Sequence, residues 1–185
     1  MKEIWTLIIK TSLPETCKDA GEIKTTVTSY EKFEAAKAAM QKELRQLAFS
    51  KNTMFDGKGH ISYFEKYIED MCNDSDEEYD DDVITKKTLK KISRALHGII
   101  SGKNLPLKLD DGFYNDWMIG FEYKDGVIKF SGEDDGPCNG YNPTLYTNVF
   151  DLTEEKDYFL YINDLFGQDD FTSELYIDLK KSILN

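Results

Sequence analysis

The sequence predicts an α+β fold: a single domain, residues 1–185, in which an antiparallel or mixed sheet packs with about three to four helices. Two patterns support this prediction. Apolar residues recur at helical spacing within residues 33–47 and 89–100. From residue 113 onward, apolar and polar residues alternate, as in half-buried strands. The chain therefore runs from strands through helices to mostly strands, with a C-terminal hairpin and an N-terminal strand in the sheet.

The N-terminal part predicts two strands and a helix. Residues Ile4–Ile9 are apolar and partly β-branched on both alternating faces, which is typical of a central strand covered on both sides. Residues Lys24–Thr28 predict a second, more exposed strand. Thr28 followed by Glu31 fits a capping box, so we expect a helix to begin at Thr28 or Ser29. Its core-facing stripe is Phe33, Ala36, Met40, Leu44 and Leu47.

Two more helices are expected in the middle of the chain, separated by an acidic run. His60–Met71 predicts one of them. Residues 73–82 carry seven carboxylates in ten positions, which predicts a flexible loop because like charges repel at every spacing that a regular element imposes. The other helix covers about residues 85–101 and ends at the cap residue Gly102. Its apolar face is Leu89, Ile92, Leu96, Ile99 and Ile100.

The C-terminal part predicts mostly strands. Asp125-Gly126 lies between two alternating runs and is a strong hairpin signal, since both turn residues require positive φ. The run before it alternates Trp117, Ile119, Phe121 and Tyr123 with polar or small residues. Leu145–Leu152 predicts a further strand, and Thr153 is placed to cap a helix that ends at Gly167. A half-buried closing strand follows at Leu175, Ile177 and Leu179.

Charge is distributed unevenly along the chain. The net charge is −12, and residues 110–185 hold seventeen acidic and five basic side chains. Residues 86–108, in contrast, hold seven basic side chains and no acidic one. A negative surface repels nucleic-acid phosphates and attracts basic partners. We therefore expect the C-terminal half to bind no nucleic acid directly.

The chain carries no pattern typical of secretion or membrane insertion. Its apolar runs are shorter than the roughly 20 residues of a spanning helix. Its three cysteines, Cys17, Cys72 and Cys138, are sparse and odd in number, which suits a reducing compartment. We predict a cytoplasmic protein without membrane contact. The oligomeric state stays open.

The motifs that carry chemistry are incomplete. The acidic run fails as a calcium loop, because Tyr79 replaces the required glycine and Thr85 the bidentate ligand. The glycine-rich segment 55–60 lacks the Ser or Thr of a phosphate loop. Neither His60 nor His97 has a spacing to Cys138 that indicates a thiol–imidazole pair. We predict no catalytic residue, metal or cofactor, and whether the protein is an enzyme stays open, with the balance against it.

One enzymatic alternative rests on clustered carboxylates. Glu133, Asp134 and Asp135 lie between glycines, and Asp110, Asp111 and Asp116 are placed to join them after folding. Carboxylate oxygens are the ligands that Mg²⁺ and Ca²⁺ prefer. The alternative is a divalent-metal-dependent enzyme, or a calcium-binding or adaptor module.

The leading hypothesis is a non-enzymatic protein that binds the basic surface of a nucleic-acid enzyme. Acidic and aromatic residues are interleaved after residue 142, so carboxylates can imitate phosphates while aromatic side chains act as anchors. In composition alone the chain resembles the small acidic inhibitors encoded by phages and mobile elements, such as anti-CRISPR and antirestriction proteins. The predicted partner-binding residues are Glu133, Asp134, Asp135, Asp151, Glu154, Glu155, Asp157, Asp164, Asp169 and Asp170.

Overall fold

The computed structural model of the protein describes residues 2–12, 23–49, 86–103, 106–115, 120–131, 144–166 and 171–184. Two helices lie in these ranges, α1 (Phe33–Phe49) and α2 (Lys86–Ser101). The strands are β1 (Lys2–Ser12), β2 (Ile23–Tyr30), β3 (Gly112–Asn115), β4 (Gly120–Lys124), β5 (Val127–Ser131), β6 (Thr144–Thr147), β7 (Tyr158–Phe166) and β8 (Phe171–Leu184).

These strands form one antiparallel sheet in the order β2-β1-β8-β7-β6-β5-β4-β3. From β3 to β8 each strand lies beside the next one in the chain, so this part of the sheet is a meander, whereas the non-consecutive neighbours β1 and β8 mark a crossover. The first and last strands pair with each other, with Lys2 opposite Leu184 and Ser12 opposite Glu174. The two ends of the described chain therefore meet inside the sheet, not at its edge.

One face of the sheet forms the core with both helices. Side chains alternate across a strand. On this face Leu7 of β1 lies opposite Leu179 of β8, and Trp5 and Ile177 lie beside this pair on the same two strands. All four side chains are nearly inaccessible to solvent. The ring of Phe33 at the start of α1 lies 4.9 Å from the ring of Trp5. Burying each such side chain contributes about 1.5–3 kcal/mol, so this layer supplies much of the stability.

Both helices present the apolar stripes that their spacing predicts. In α1 the buried residues include Phe33, Ala36, Met40 and Leu44, and in α2 they include Leu89, Ile92, Leu96 and Ile99. Gly102 ends α2 with φ +70°, and its N–H donates to the carbonyl of Ile99 at 3.2 Å. The predicted stripes and the glycine cap are confirmed at these residues.

The predicted hairpin is also confirmed. β4 and β5 pair with Lys124 opposite Val127, and the turn residues Asp125 and Gly126 have φ of 50° and 79°. The side chain of Asp111 accepts a hydrogen bond from the Asp125 N–H at 3.2 Å. Positive φ at both turn positions matches the right-handed twist of the flanking strands.

The start predicted for the first helix is wrong. Thr28 and Ser29 still belong to β2, where they pair with Leu7 and Thr6, and α1 begins only at Phe33. The hydrogen bonds between β1 and β2 take up the backbone that a capping box at Thr28 would need. The second strand itself is confirmed, and it is exposed along almost its whole length.

The helix predicted after Thr153 is wrong as well. Residues 158–166 form strand β7, in which Tyr158, Leu160 and Ile162 are completely buried in alternation. The N–H and the hydroxyl of Thr153 both donate to the side chain of Asp151, at 3.2 and 2.7 Å, so Thr153 caps no helix. The strand predicted at Leu145–Leu152 ends early, at Thr147.

The predicted fold class therefore needs correction. The described residues contain two helices, not about three to four, and the sheet is larger than expected, with eight strands that are all antiparallel. An α+β description is still roughly compatible. In the described ranges neither helix is long and apolar enough to cross a membrane. The helix predicted at His60–Met71, the loop at 73–82, and Trp117 and Ile119 lie outside the described residues. The single-domain assignment stays a prediction.

Candidate functional site

Five of the ten predicted partner-binding residues lie in the described chain. Asp151, Glu154, Glu155 and Asp157 belong to the connection between β6 and β7, residues 148–157, which we call the β6–β7 loop. Asp164 lies near the other end of β7, where it pairs with Ser173. The five that lie outside the described residues are Glu133, Asp134, Asp135, Asp169 and Asp170.

The structure brings four of these residues together and separates them from the fifth. Asp157 and Asp164 stand seven residues apart at the two ends of β7, which at about 3.3 Å per residue is a distance of about 23 Å. The β6–β7 loop is therefore a compact acidic site of its own. Asp164 belongs to the opposite end of the sheet.

Side-chain hydrogen bonds hold the base of the β6–β7 loop. Asn148 donates from its side chain to the carbonyl of Asp157 at 3.1 Å and accepts from the N–H of Phe159 at 2.8 Å. The carboxylate of Asp157 accepts from the N–H of Lys181 in the neighbouring strand at 2.9 Å. Asp157 therefore fastens the loop to β8, and a structural role accounts for its side chain.

A buried tyrosine holds the tip of the same loop. The ring of Tyr158 is fully buried, and its hydroxyl donates to the carbonyl of Glu154 at 2.7 Å. Burial is the main cause that raises the pKa of Tyr158 to about 12; the nearby carboxylates of Asp151 and Glu154 add to the increase, and the bond to the Glu154 carbonyl offsets part of it. The hydroxyl thus stays protonated at neutral pH and keeps donating to the loop.

The β6–β7 loop carries more acidic than basic side chains. Four carboxylates and one lysine between residues 151 and 157 leave three net negative charges. Lys156 pairs with Glu154 at 3.0 Å, and both side chains are largely exposed, so the pair contributes only about 0–1 kcal/mol. Glu155 is exposed. The loop thus offers fixed carboxylates to a partner at low energetic cost to the fold.

A row of three tyrosines crosses the sheet face opposite helices α1 and α2, which we call the open face. Tyr146 of β6 lies opposite Tyr161 of β7, which in turn lies opposite Tyr176 of β8. Residues directly opposite share a face of the sheet, so these three residues form one line, which we call the tyrosine row. Lysines flank it at Lys129 and Lys10.

The tyrosine row is partly exposed and lies beside the β6–β7 loop. Tyr146 is 41% exposed, while Tyr161 and Tyr176 are half-buried. Phe159, the second residue after the loop, packs its ring 4.6 Å from that of Tyr146. An acidic loop and an aromatic patch therefore share one corner of the open face.

A buried carboxylate supports one end of this patch. Asp178 is only 2% exposed, although it lies opposite Phe159 on the open face. Its side chain pairs with Lys180 at 2.5 Å and hydrogen-bonds to the hydroxyl of Tyr176. Burial and this bond raise the pKa of Tyr176, and the bond to Asp178 raises the pKa of Lys180. Asp178 is satisfied by its neighbours and orients Tyr176.

Of the carboxylates in the enzymatic alternative, Asp110 and Asp111 lie in the described residues, where the side chain of Asp111 and the backbone of Asp110 have structural partners. Asp111 caps the turn at Asp125, and the carbonyl of Asp110 accepts from the hydroxyl of Tyr114 at 2.7 Å. Asp116 and the cluster 133–135 lie outside the described residues. Within the described ranges, no group of three or more His, Cys, Asp or Glu side chains is placed to hold a metal ion.

Sequence reasoning identified the acidic residues of the loop but not the tyrosine row. Its members lie fifteen residues apart in the chain, at 146, 161 and 176, and only the pairing of three strands aligns them. Because residues 153–167 were expected to be helical, Tyr161 was assigned to no strand. The short continuous apolar and aromatic run Tyr158–Ile162 is the sequence signal that is consistent with a strand.

No protein-family model, no curated protein and no solved structure matches this chain. The site is therefore interpreted from its own geometry.

Proposed function

We propose that this is a non-enzymatic, cytoplasmic interaction protein that binds the basic surface of a nucleic-acid enzyme and inhibits it. The observation that supports this proposal is the β6–β7 loop, with its three net negative charges, beside the partly exposed tyrosine row. Protein interfaces commonly join aromatic anchors at the centre to a polar, charged rim. Here the tyrosine row provides the aromatic anchors and the β6–β7 loop provides the charged rim.

The loop is suited to binding because it is held in place before a partner arrives. The hydrogen bonds of Asn148, Asp157 and Tyr158 fasten it at both its base and its tip. A loop that is already ordered loses less conformational entropy on association. Its exposed carboxylates, Glu154 and Glu155, then serve to attract the partner.

The charge of the chain indicates what kind of partner this is. The excess of twelve negative charges after residue 109 disfavours nucleic acid and favours a basic protein surface. Enzymes that act on nucleic acids carry such a surface where they bind phosphates. Charge attraction of this kind acts mainly on the association rate and weakens as salt screens it.

The proposal is tested by affinity capture from host lysate at about 0.1 M and about 1 M salt, between which the screening length falls from about 10 to about 3 Å. We expect a nucleic-acid enzyme to be captured at low salt and lost at high salt. The purified enzyme must then lose nucleic-acid binding when this protein is added. Capture that is indifferent to salt, or an enzyme that keeps its nucleic acid, contradicts the proposal.

Two pairs of variants locate the interface. The double variant Glu154→Gln/Glu155→Gln is expected to slow association with the captured enzyme several-fold. The variant Asp110→Asn/Asp125→Asn removes the same charge from exposed side chains near β3 and the β4–β5 turn, and it serves as the control. Equal slowing by both double variants refutes a role of the loop beyond net charge.

The aromatic part is tested in the same way. Tyr146→Ala is expected to speed dissociation and to weaken binding by about 2 kcal/mol or more, as interface anchors do. Phe113→Ala is the matched control, because Phe113 is 82% exposed on the same open face but lies three strands away. If the two variants bind equally well, the tyrosine row is not the anchor.

A further inference from the structure

A cleft of about 260 Å³ lies between helix α2 and the segment that follows it. Its walls are Lys91, Arg94 and Ala95 on the helix and Pro106, Leu107 and Lys108 across from it. It lies in the basic stretch 86–108, which has no acidic residue. The proposed interface does not use this part of the molecule.

Three cations line the cleft, and none of the described residues that line it carries a carboxylate. Lys91 spans it, since its ammonium group donates to the carbonyl of Lys108 at 3.4 Å. Among the described residues, no acidic side chain forms an ion pair with Arg94 or Lys108. The guanidinium and ammonium groups thus provide several donors and a concentrated positive charge.

The floor of the cleft is apolar and firmly held. Ala95 and Leu107 are buried beneath it, and Pro106 provides the exposed apolar surface. The carbonyl of Leu107 accepts from the buried hydroxyl of Tyr123 at 3.0 Å, and burial raises the pKa of that tyrosine. The wall opposite the helix is therefore attached to the sheet through β4. A ligand here meets a cationic rim and an apolar base.

We infer that this cleft binds a small phosphomonoester with an apolar body. Arginine presents a planar fork that matches two phosphate oxygens, and lysines add point charges that suit a dianion. The volume is slightly below the roughly 300–1,000 Å³ of sites for drug-sized ligands. It suits one phosphate group and a small ring or short chain packed against Pro106.

The inference is tested by titrating the full chain with phenyl phosphate. Binding is measured by calorimetry and by changes of the amide chemical shifts in NMR spectra. We expect saturable binding, with shifts confined to α2 and residues 106–108. Inorganic phosphate, which lacks the apolar body, and benzoate, which lacks the dianion, are each expected to bind at least about tenfold more weakly. If inorganic phosphate or benzoate binds as tightly as phenyl phosphate, the assigned ligand class is wrong. If the amide shift changes are scattered over the protein, the assigned site is wrong.

A matched pair of variants separates the cleft from general charge attraction. Arg94→Gln is expected to weaken phenyl phosphate binding about 10- to 100-fold, the range for losing a hydrogen bond to a charged group. Lys87→Gln removes one charge from an exposed position on the same helix that does not line the cleft, and it is expected to change affinity less than twofold. Equal weakening by the two variants overturns the inference. Both side chains are exposed, so the fold is preserved.

Discussion

Tyr158→Phe isolates the hydroxyl group that holds the tip of the β6–β7 loop. The ring of Tyr158 is fully buried and stays in place in phenylalanine, so the variant removes only the 2.7 Å hydrogen bond to the carbonyl of Glu154. The carbonyl of Glu154 then loses the partner that the hydroxyl provided. At pH 7 we therefore expect the free energy of unfolding to fall by about 1 kcal/mol.

The same hydroxyl makes a pH-dependent contribution with a definite sign. Its pKa is about 12 in the folded protein and about 10 in the unfolded chain. A raised pKa means that the contribution is fully present below pH 10 and is lost as pH rises from 10 to 12. Relative to neutral pH, the folded protein loses roughly 3 kcal/mol of stability in total for these two pKa units, and about half of this loss has occurred at pH 11. Near pH 11 the phenylalanine variant should therefore equal or exceed the native protein in stability.

Urea unfolding of both proteins at pH 7, 9, 10 and 11, followed by circular dichroism, measures this effect. Taking the difference between the two proteins at each pH cancels the titration of lysines and other tyrosines. Tyr146→Phe is the control, because it removes a hydroxyl from a partly exposed side chain of the tyrosine row. A difference between native protein and Tyr158→Phe that stays constant from pH 7 to pH 11 refutes the reasoning.

Two further substitutions test the fold, each by urea unfolding. Gly126→Ala should lower the free energy of unfolding by about 1–2 kcal/mol, because the φ of 79° disfavours a Cβ although the space around it is empty. The control Gly112→Ala, also in open space but without positive φ, should leave stability nearly unchanged. Equal losses in the two variants contradict the turn geometry. Leu96→Ala should cost about 2–5 kcal/mol because the side chain is fully buried in the core, whereas Lys90→Ala on the exposed face should change stability by less than about 0.5 kcal/mol.

The helices that the sequence predicted correctly are those with a clear local pattern. The stripe of α2 repeats every three or four residues, and Gly102 follows at the position where a positive φ ends a helix. The Asp125-Gly126 turn is equally local. Neighbouring residues are sufficient to determine each of these features, so no knowledge of the tertiary structure is needed.

The errors share a physical cause. Thr28 with Glu31, and Thr153 before an apolar run, are both good helix starts when considered alone. In the structure the backbone of Thr28 pairs with β1, and Thr153 bonds to Asp151. Pairing with a neighbouring strand and burial of Tyr158, Leu160 and Ile162 outweigh the modest energy of a cap, which is about 1 kcal/mol.

The sequence by itself determined the amphipathic helices, the β4–β5 hairpin and the acidic excess of the C-terminal part, because each depends on residue type and short-range spacing. Only the tertiary structure decided that the first and last strands pair, that Tyr146, Tyr161 and Tyr176 align, and that Lys108 faces Arg94 across a cleft. Strand register and packing across the sheet join residues that are distant in the chain, and no local pattern encodes which strand lies beside which.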